Sequence, residues 1–137
     1  MLNKATKYAI WVLVYTKKQN DKGLKPGVEE IARKIGGPRF YIAKILQKLV
    51  GKGIINSTKG KGGGYFFDRN KPEITIKELM GNDEIEKIFS SCVLGLKTCS
   101  IETPCSMYNK WCIIMSDFDH FVSSITIQSL SEKDFKF

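Results

Sequence analysis

The stretch VEEIARKIGGPRFYIAKILQKLVGKGIINSTKGKGGGYFF, residues 28–67, decides the architecture of this chain. Val28, Ile31, Ala32 and Ile35 recur at i, i+3, i+4 and i+7, the stripe of a short amphipathic helix. Glu29 and Glu30 suit its N-terminal end, where the helix dipole favours negative charge. Gly36, Gly37 and Pro38 break it, and proline suits the first turn of a new helix because its missing N–H would be unpaired there. That second helix is predicted to run to about Val50, with Ile42, Ile45, Leu46 and Leu49 on its core face and Gly51 and Gly53 ending it. Two β-prone runs, 54–58 and 65–67, flank the glycine cluster and predict a hairpin. Helix, tight turn, helix and glycine-rich hairpin is the order of a winged helix-turn-helix.

Such a head reads DNA by laying its second helix in the major groove. Stepping 100° per residue from the core face puts Phe40, Ala43, Lys44 and Gln47 outward, flanked by Arg39 and Lys48. A few polar readers among cations suit groove docking, although a plain solvated face would also be polar. In the hairpin, Lys59 and Lys61 alternate with glycines, Gly62 and Gly63 among them, that allow close approach to a phosphate. A P-loop would need a Lys-Ser or Lys-Thr pair after the glycines, which is missing. A surface hairpin without a ligand is the plainer alternative.

Outside this stretch, residues 5–18 predict an apolar first helix, sandwiched between the head and another element. Thr75 and Glu78 form a capping-box pair opening a short helix at 76–80. Residues 81–103 read as irregular or extended. Thr103 and Pro104 read as N-cap and first residue of a long helix reaching about Ile125, with a further short turn at 126–130. The expected organisation is a DNA-binding head over 1–80, a cysteine-bearing sensor loop over 81–103, and a dimerisation helix and tail over 104–137. The fold class is mostly α with a small β-hairpin wing.

Charge supports this division. The net charge is +8, and residues 1–71 hold 16 of the 22 Lys+Arg but only 4 of the 14 Asp+Glu. The remainder is net negative, so a basic head sits on an acidic C-terminal part, the electrostatic pattern of a nucleic-acid binder. The most apolar stretch, 8–15, is about half the roughly 20 residues a bilayer needs, and no signal-peptide cleavage site follows it. A cytoplasmic location is therefore expected, where thiols stay reduced. One histidine and no convergent acid–base group leave little from which to build an enzyme.

All four cysteines fall within 92–112, separated by six, five and six residues. This is not the paired spacing of a zinc ribbon. Soft thiolates on a loop suit an iron–sulfur cluster, 2Fe-2S or 4Fe-4S; a thiol redox switch, zinc and simple packing are the alternatives.

The run 29–67, followed by CVLGLKTCSIETPC at 92–105, resembles the IscR/NsrR/CymR-type (Rrf2) family of bacterial winged helix-turn-helix regulators. The similarity extends over nearly the whole chain. It implies a homodimer, paired through long C-terminal helices, on partly palindromic double-stranded DNA. By position it implies Arg39, Phe40, Tyr41 and Lys44 as recognition-helix contacts, 59–64 as the wing, and Cys92, Cys99 and Cys105 as cluster ligands. Family members often place a histidine three residues after the third cysteine, which is Tyr108 here; those using an acid from the first helix have it where this chain has Lys7. The fourth ligand therefore stays open among a tyrosine, a glutamate such as Glu102 and an exogenous small ligand.

With Cys105 at a helix N-terminus, Cys112 would lie two turns on, about 10 Å along the axis, and is expected to be a buried apolar thiol. His120 would be about 22 Å from Cys105, a partly exposed helix residue. The expected function is a homodimeric transcription regulator modulated by a cluster or by loop thiols. A small iron–sulfur electron carrier, and a family regulator without a cluster governed by a partner protein or thiol switch, are the alternatives.

Overall fold

The computed structural model describes residues 2–97 and 99–137. Its centre is α1 (Lys4–Asp21), whose N-cap Asn3 accepts a hydrogen bond from the Thr6 N–H. Val12, Leu13, Val14 and Thr16 are fully buried, because α1 is packed against α2 (Val28–Ile35), α3 (Arg39–Gly51), α4 (Ile76–Leu79) and α7 (Ile127–Ser131). The expected sandwiching of an unusually apolar helix is what is found. In α2 and α3 the buried residues are those of the periodic stripe: Ile31, Ala32 and Ile35, then Ile42, Ile45, Leu46 and Leu49. Pro38 is the N-cap of α3 rather than its first residue, a shift of one position.

The hairpin is short. Strands β1 (Asn56–Thr58) and β2 (Gly64–Phe66) pair antiparallel with Ser57 opposite Tyr65. The residues before β1 leave the strand early, and Ile55 is fully buried in the core. The hairpin is fastened to the loop before α2, where the Tyr65 N–H donates to the Pro26 carbonyl at 2.9 Å. Gly64 permits this contact. Its φ is +152°, and a Cβ there would stand 2.2 Å from the Lys25 carbonyl oxygen, a backbone atom with no room to yield. Gly64→Ala is expected to destabilise the protein by about 1–3 kcal/mol, read as a lower urea midpoint at unchanged slope. An unchanged midpoint would show that the wing is not clamped at this point.

Thr75 and Glu78 complete the expected capping box at the start of α4. The structure then departs from the sequence reading: α5 (Asn82–Phe89) occupies the first part of the segment expected to be irregular. Its Ile85, Ile88 and Phe89 pack against the core. Its buried Glu84 accepts hydrogen bonds from the Asn3 N–H and the Thr6 hydroxyl at the positive end of α1. The cap is long-range, but the helix itself has a local signal in Asp83 and Glu84 followed by Ile85, Ile88 and Phe89 at i, i+3 and i+4.

The second departure concerns α6 (Tyr108–Ser124), which begins at Tyr108, after Met107 as N-cap, and not at Pro104. Cys105 thus precedes the helix, joined to it by the Tyr108 N–H donating to its carbonyl. Thr103 and Pro104 belong to the loop. A local start signal loses there to the folding of the loop around its cysteines.

On one face of α6, Val122 is fully buried and Phe118 and Ile125 pack on the core, while Lys77 of α4 bonds Asp119 at 2.6 Å. On another, Ile113, Ile114 and Phe121 are 62%, 53% and 52% exposed. After α6 the chain turns back. Ile76 N–H donates to the Ile125 carbonyl and Ile127 N–H to that of Ile74, and α7 docks on α1. Among the described residues, no helix is long and apolar enough to cross a membrane.

Candidate nucleic-acid interface and cysteine site

Phe40, Ala43, Lys44 and Gln47 line one shallow groove, closed on its other side by Ser57 and Tyr65 of the hairpin. Helix and wing therefore form a continuous surface. Phe40 is 79% exposed, an unusual state for a large apolar side chain that nothing in the protomer covers. Arg39 is ion-paired with Glu29 and its guanidinium lies 5.8 Å from the Phe40 ring centre.

Lys59 and Lys61 stand exposed at the hairpin tip, with Gly60 and Gly62 in the left-handed region. Lys48 is exposed on a different side of α3, beside Asn3, Thr6 and Lys52. Tyr41 turns away from the groove: its ring packs edge-on against Tyr8 of α1 at 5.2 Å, with the Lys4 ammonium 5.5 Å from its centre. Ser57 and Tyr65 were not singled out in the sequence, although the register of a hairpin beside α3 carries them there.

The cysteines make the second site. Cys92, Cys99 and Cys105 line one cleft together with Leu96, Ser100, Thr103 and Tyr108. The loop is pinned to α6 where the Trp111 indole N–H donates to the Ser91 carbonyl at 3.1 Å. The loop turns tightly after Cys92, with the Gly95 N–H donating to the Cys92 carbonyl at 2.9 Å, and this places backbone N–H groups of the 94–96 segment near its sulfur. The Leu96 and Leu94 backbone groups beside it hold the Cys92 thiol below its usual range.

Cys99 is pushed the other way, by desolvation first and then by the neighbouring Cys92, Cys105 and Cys112 sulfurs. Tyr108 is raised, chiefly by its neighbour Cys112 one helical turn on and then by desolvation. Cys112 is exposed, not buried as expected, because it lies on a side of α6 that the core does not cover. His120 and Glu102 are exposed, and Lys7 is an exposed cation on α1.

Among the described residues, no three His, Cys, Asp or Glu side chains are drawn close enough to hold a single metal ion. The three thiols border a cleft rather than converge on one point. A cleft lined by three cysteines, with no other soft side chain, fits an iron–sulfur cluster, which is wider than one ion.

A groove made by a recognition helix and a wing, beside a basic surface, defines a winged helix-turn-helix DNA-binding regulator. The comparisons give its family. The family model described as "Rrf2: Iron-dependent Transcriptional regulator" matches residues 2–133, and the chain belongs to that family. It is a transcription regulator and not an enzyme.

A protein described as an HTH-type transcriptional regulator in Aquifex aeolicus is 29% identical over 132 residues, covering 95% of this chain and 90% of the relative. The HTH-type transcriptional regulator IscR of Photorhabdus laumondii is 22% identical over 94% of this chain and 77% of its own. In fold, the chain matches CymR, the global cysteine regulator of B. subtilis, with a TM-score of 0.72 at 17% identity, over 98% of both chains.

Proposed function

We propose that this regulator acts as a homodimer whose operator binding is set by an iron–sulfur cluster in the 92–105 loop. The observation that carries this reading is the single cleft shared by Cys92, Cys99 and Cys105. When bound, such a cluster supplies a group that oxygen or nitric oxide can alter. The chain's own residues link its loop to the DNA-binding head. The loop follows α5, whose Glu84 caps α1; α1 in turn holds α3 through Tyr8 and Lys4 on Tyr41. A change in loop order thus reaches the recognition helix through packed side chains, with α1 as the lever. The division into a head over 1–80, a sensor loop over 81–103 and a dimerisation segment over 104–137 belongs to this reading.

At the DNA, α3 enters the major groove. Gln47 and Lys44 are of the types that hydrogen-bond adenine and guanine edges, and Phe40 and Ala43 suit thymine methyl groups. Lys59 and Lys61, beside Gly62 and Gly63 in the chain, meet phosphates flanking the site, Arg39 stands at the N-terminal end of the recognition helix, and Lys48 offers a further cation on another side of α3. Two heads related by a twofold axis would read a partly palindromic operator.

Lys44→Ala is expected to weaken operator binding about tenfold, and Lys61→Ala to lower the salt dependence by roughly one counterion unit. Fluorescence anisotropy with a selected operator at several salt concentrations measures both. Wild-type curves for both variants would remove the proposed docking.

A second reading is favoured by one observation: Cys92 and Cys99 line the same cleft, an arrangement that also suits a thiol switch without a cluster. Iron and sulfide analysis of protein purified without oxygen separates the two readings.

A further inference from the structure

Phe40 is the second residue of α3, at the end of a recognition helix that meets base edges first. Its bare ring lines the groove between α3 and the wing, where Ala43, Val50 and Tyr65 continue an apolar wall beside Lys44 and Gln47. Its neighbour Arg39 does not line that groove. The Arg39 guanidinium is held instead by the Glu29 carboxylate, in the first turn of α2, and stands 5.8 Å from the Phe40 ring centre. At that distance a cation and an aromatic ring attract. Among the described residues, the groove lining contains no arginine and no carboxylate.

We propose that Phe40 reads a thymine methyl group in each operator half-site, and that Glu29 is its positioning residue, acting through Arg39 to keep the guanidinium off guanine and beside the ring. The assignment rests on the docking proposed above and names the base that the start of α3 selects.

Arginine on a recognition helix commonly pairs with guanine O6 and N7 through two hydrogen bonds. Arg39 would have to leave Glu29 to do so. In water an exposed ion pair is weak, and that step would cost little. Against DNA the balance changes. A Glu29 stripped of its cation would face the phosphates as an unpaired carboxylate, so the pair is kept in the complex. The side chain that then reaches the base is a hydrocarbon ring. It offers guanine and cytosine no hydrogen bond, but it gains by covering the C5 methyl of thymine, which projects into the major groove.

The test uses the full chain, prepared both with and without oxygen, and operators enriched by the wild type from a random duplex pool. Each thymine of a half-site is replaced in turn by uracil, which removes the methyl group and keeps the base pair. Wild type is expected to lose roughly fourfold in affinity at one such position, the value of one buried methyl group. Phe40→Ala is expected to bind the thymine and uracil operators equally.

Glu29→Gln is expected to lower the preference for thymine over guanine, at that position or the next, by about tenfold, because the freed Arg39 pairs with guanine. Adding Arg39→Ala to Glu29→Gln should remove this gain. Ratios between operators are compared, since loss of one negative charge strengthens binding to every sequence alike. Glu29, Arg39 and Phe40 are all exposed, so the variants should melt with the wild type, and matching midpoints would show that altered preference is not unfolding.

Equal binding of every uracil operator by the wild type would overturn the methyl reading. Discrimination kept by Phe40→Ala would overturn its assignment to Phe40, and an unchanged base preference in Glu29→Gln would overturn the positioning role. Each of these results leaves the docking of α3 standing. A wild-type protein that enriches no sequence from the pool in either preparation would overturn docking and assignment together.

Discussion

Alanine at Cys92, Cys99 or Cys105 is expected to abolish the visible absorption of protein prepared without oxygen, and with it the iron and sulfide content. The three sulfurs share one cleft, so removing any one opens a coordination position that no other side chain in the lining can fill with sulfur. Fold stability should change little. Cys99 is exposed, and Cys92 and Cys105 sit in a loop outside the buried core. The metal-free variants should therefore melt within a few degrees of the metal-free wild type.

Their operator affinity should no longer respond to oxygen or nitric oxide. An undiminished response in all three single variants would show that the signal enters elsewhere. Iron-free wild-type protein that cannot be reconstituted would turn the proposal towards a thiol switch or a partner protein.

The other large effect is expected at the exposed face of α6. Ile114→Asp and Phe121→Asp should each convert a dimer into a monomer at micromolar concentration, measured by light scattering. In a twofold interface one substitution places two carboxylates in the contact, one from each protomer. Obligate interfaces commonly bury more than about 2,000 Å², and an unpaired charge inside one is strongly unfavourable.

Within the protomer, Ile114 and Phe121 are 53% and 52% exposed, so helicity and the thermal unfolding of the head should survive. Operator binding should fall towards the non-specific range, a Kd on the order of 10⁻⁴–10⁻⁶ M, because one head cannot span two half-sites. A monomeric wild-type protein, or variants that remain dimeric with unchanged affinity, would sink this arrangement.

Where the chain follows local rules, its sequence was a sufficient guide. The stripes of α2 and α3, the glycines between and after them, and the Thr75–Glu78 capping pair each act within a few residues, and the structure keeps all of them. The same locality made the outward face of α3 and the lysines of the wing legible, since they follow from helical phase and hairpin order.

Tyr41 shows where that legibility ends. Its family position marks it as a DNA contact, yet its ring is held against Tyr8 by the packing of α1 on α3. Phase alone cannot tell a flank that faces solvent from one that faces another helix.

The remaining features depend on contacts between residues far apart in the chain. α5 is an exception, since Asp83 and Glu84 in its first turn and Ile85, Ile88 and Phe89 at i, i+3 and i+4 are a local helix signal that the reading of 81–103 as irregular passed over. The capping of α1 by its buried Glu84, some 80 positions away, is not local. Thr103 and Pro104 are a sound helix start in isolation, but the loop draws Cys105 towards Cys92 and Cys99, and the helix forms only from Tyr108. Cys112, expected to be buried, is exposed on the helix that results.

Sequence by itself determined the recognition head, its basic charge and the supply of soft ligands, because periodicity, capping and composition are local. Only the tertiary structure decided which thiols gather, which face of α6 stays uncovered and how the loop joins the head. Those outcomes are set by competition among distant packing and hydrogen-bond partners.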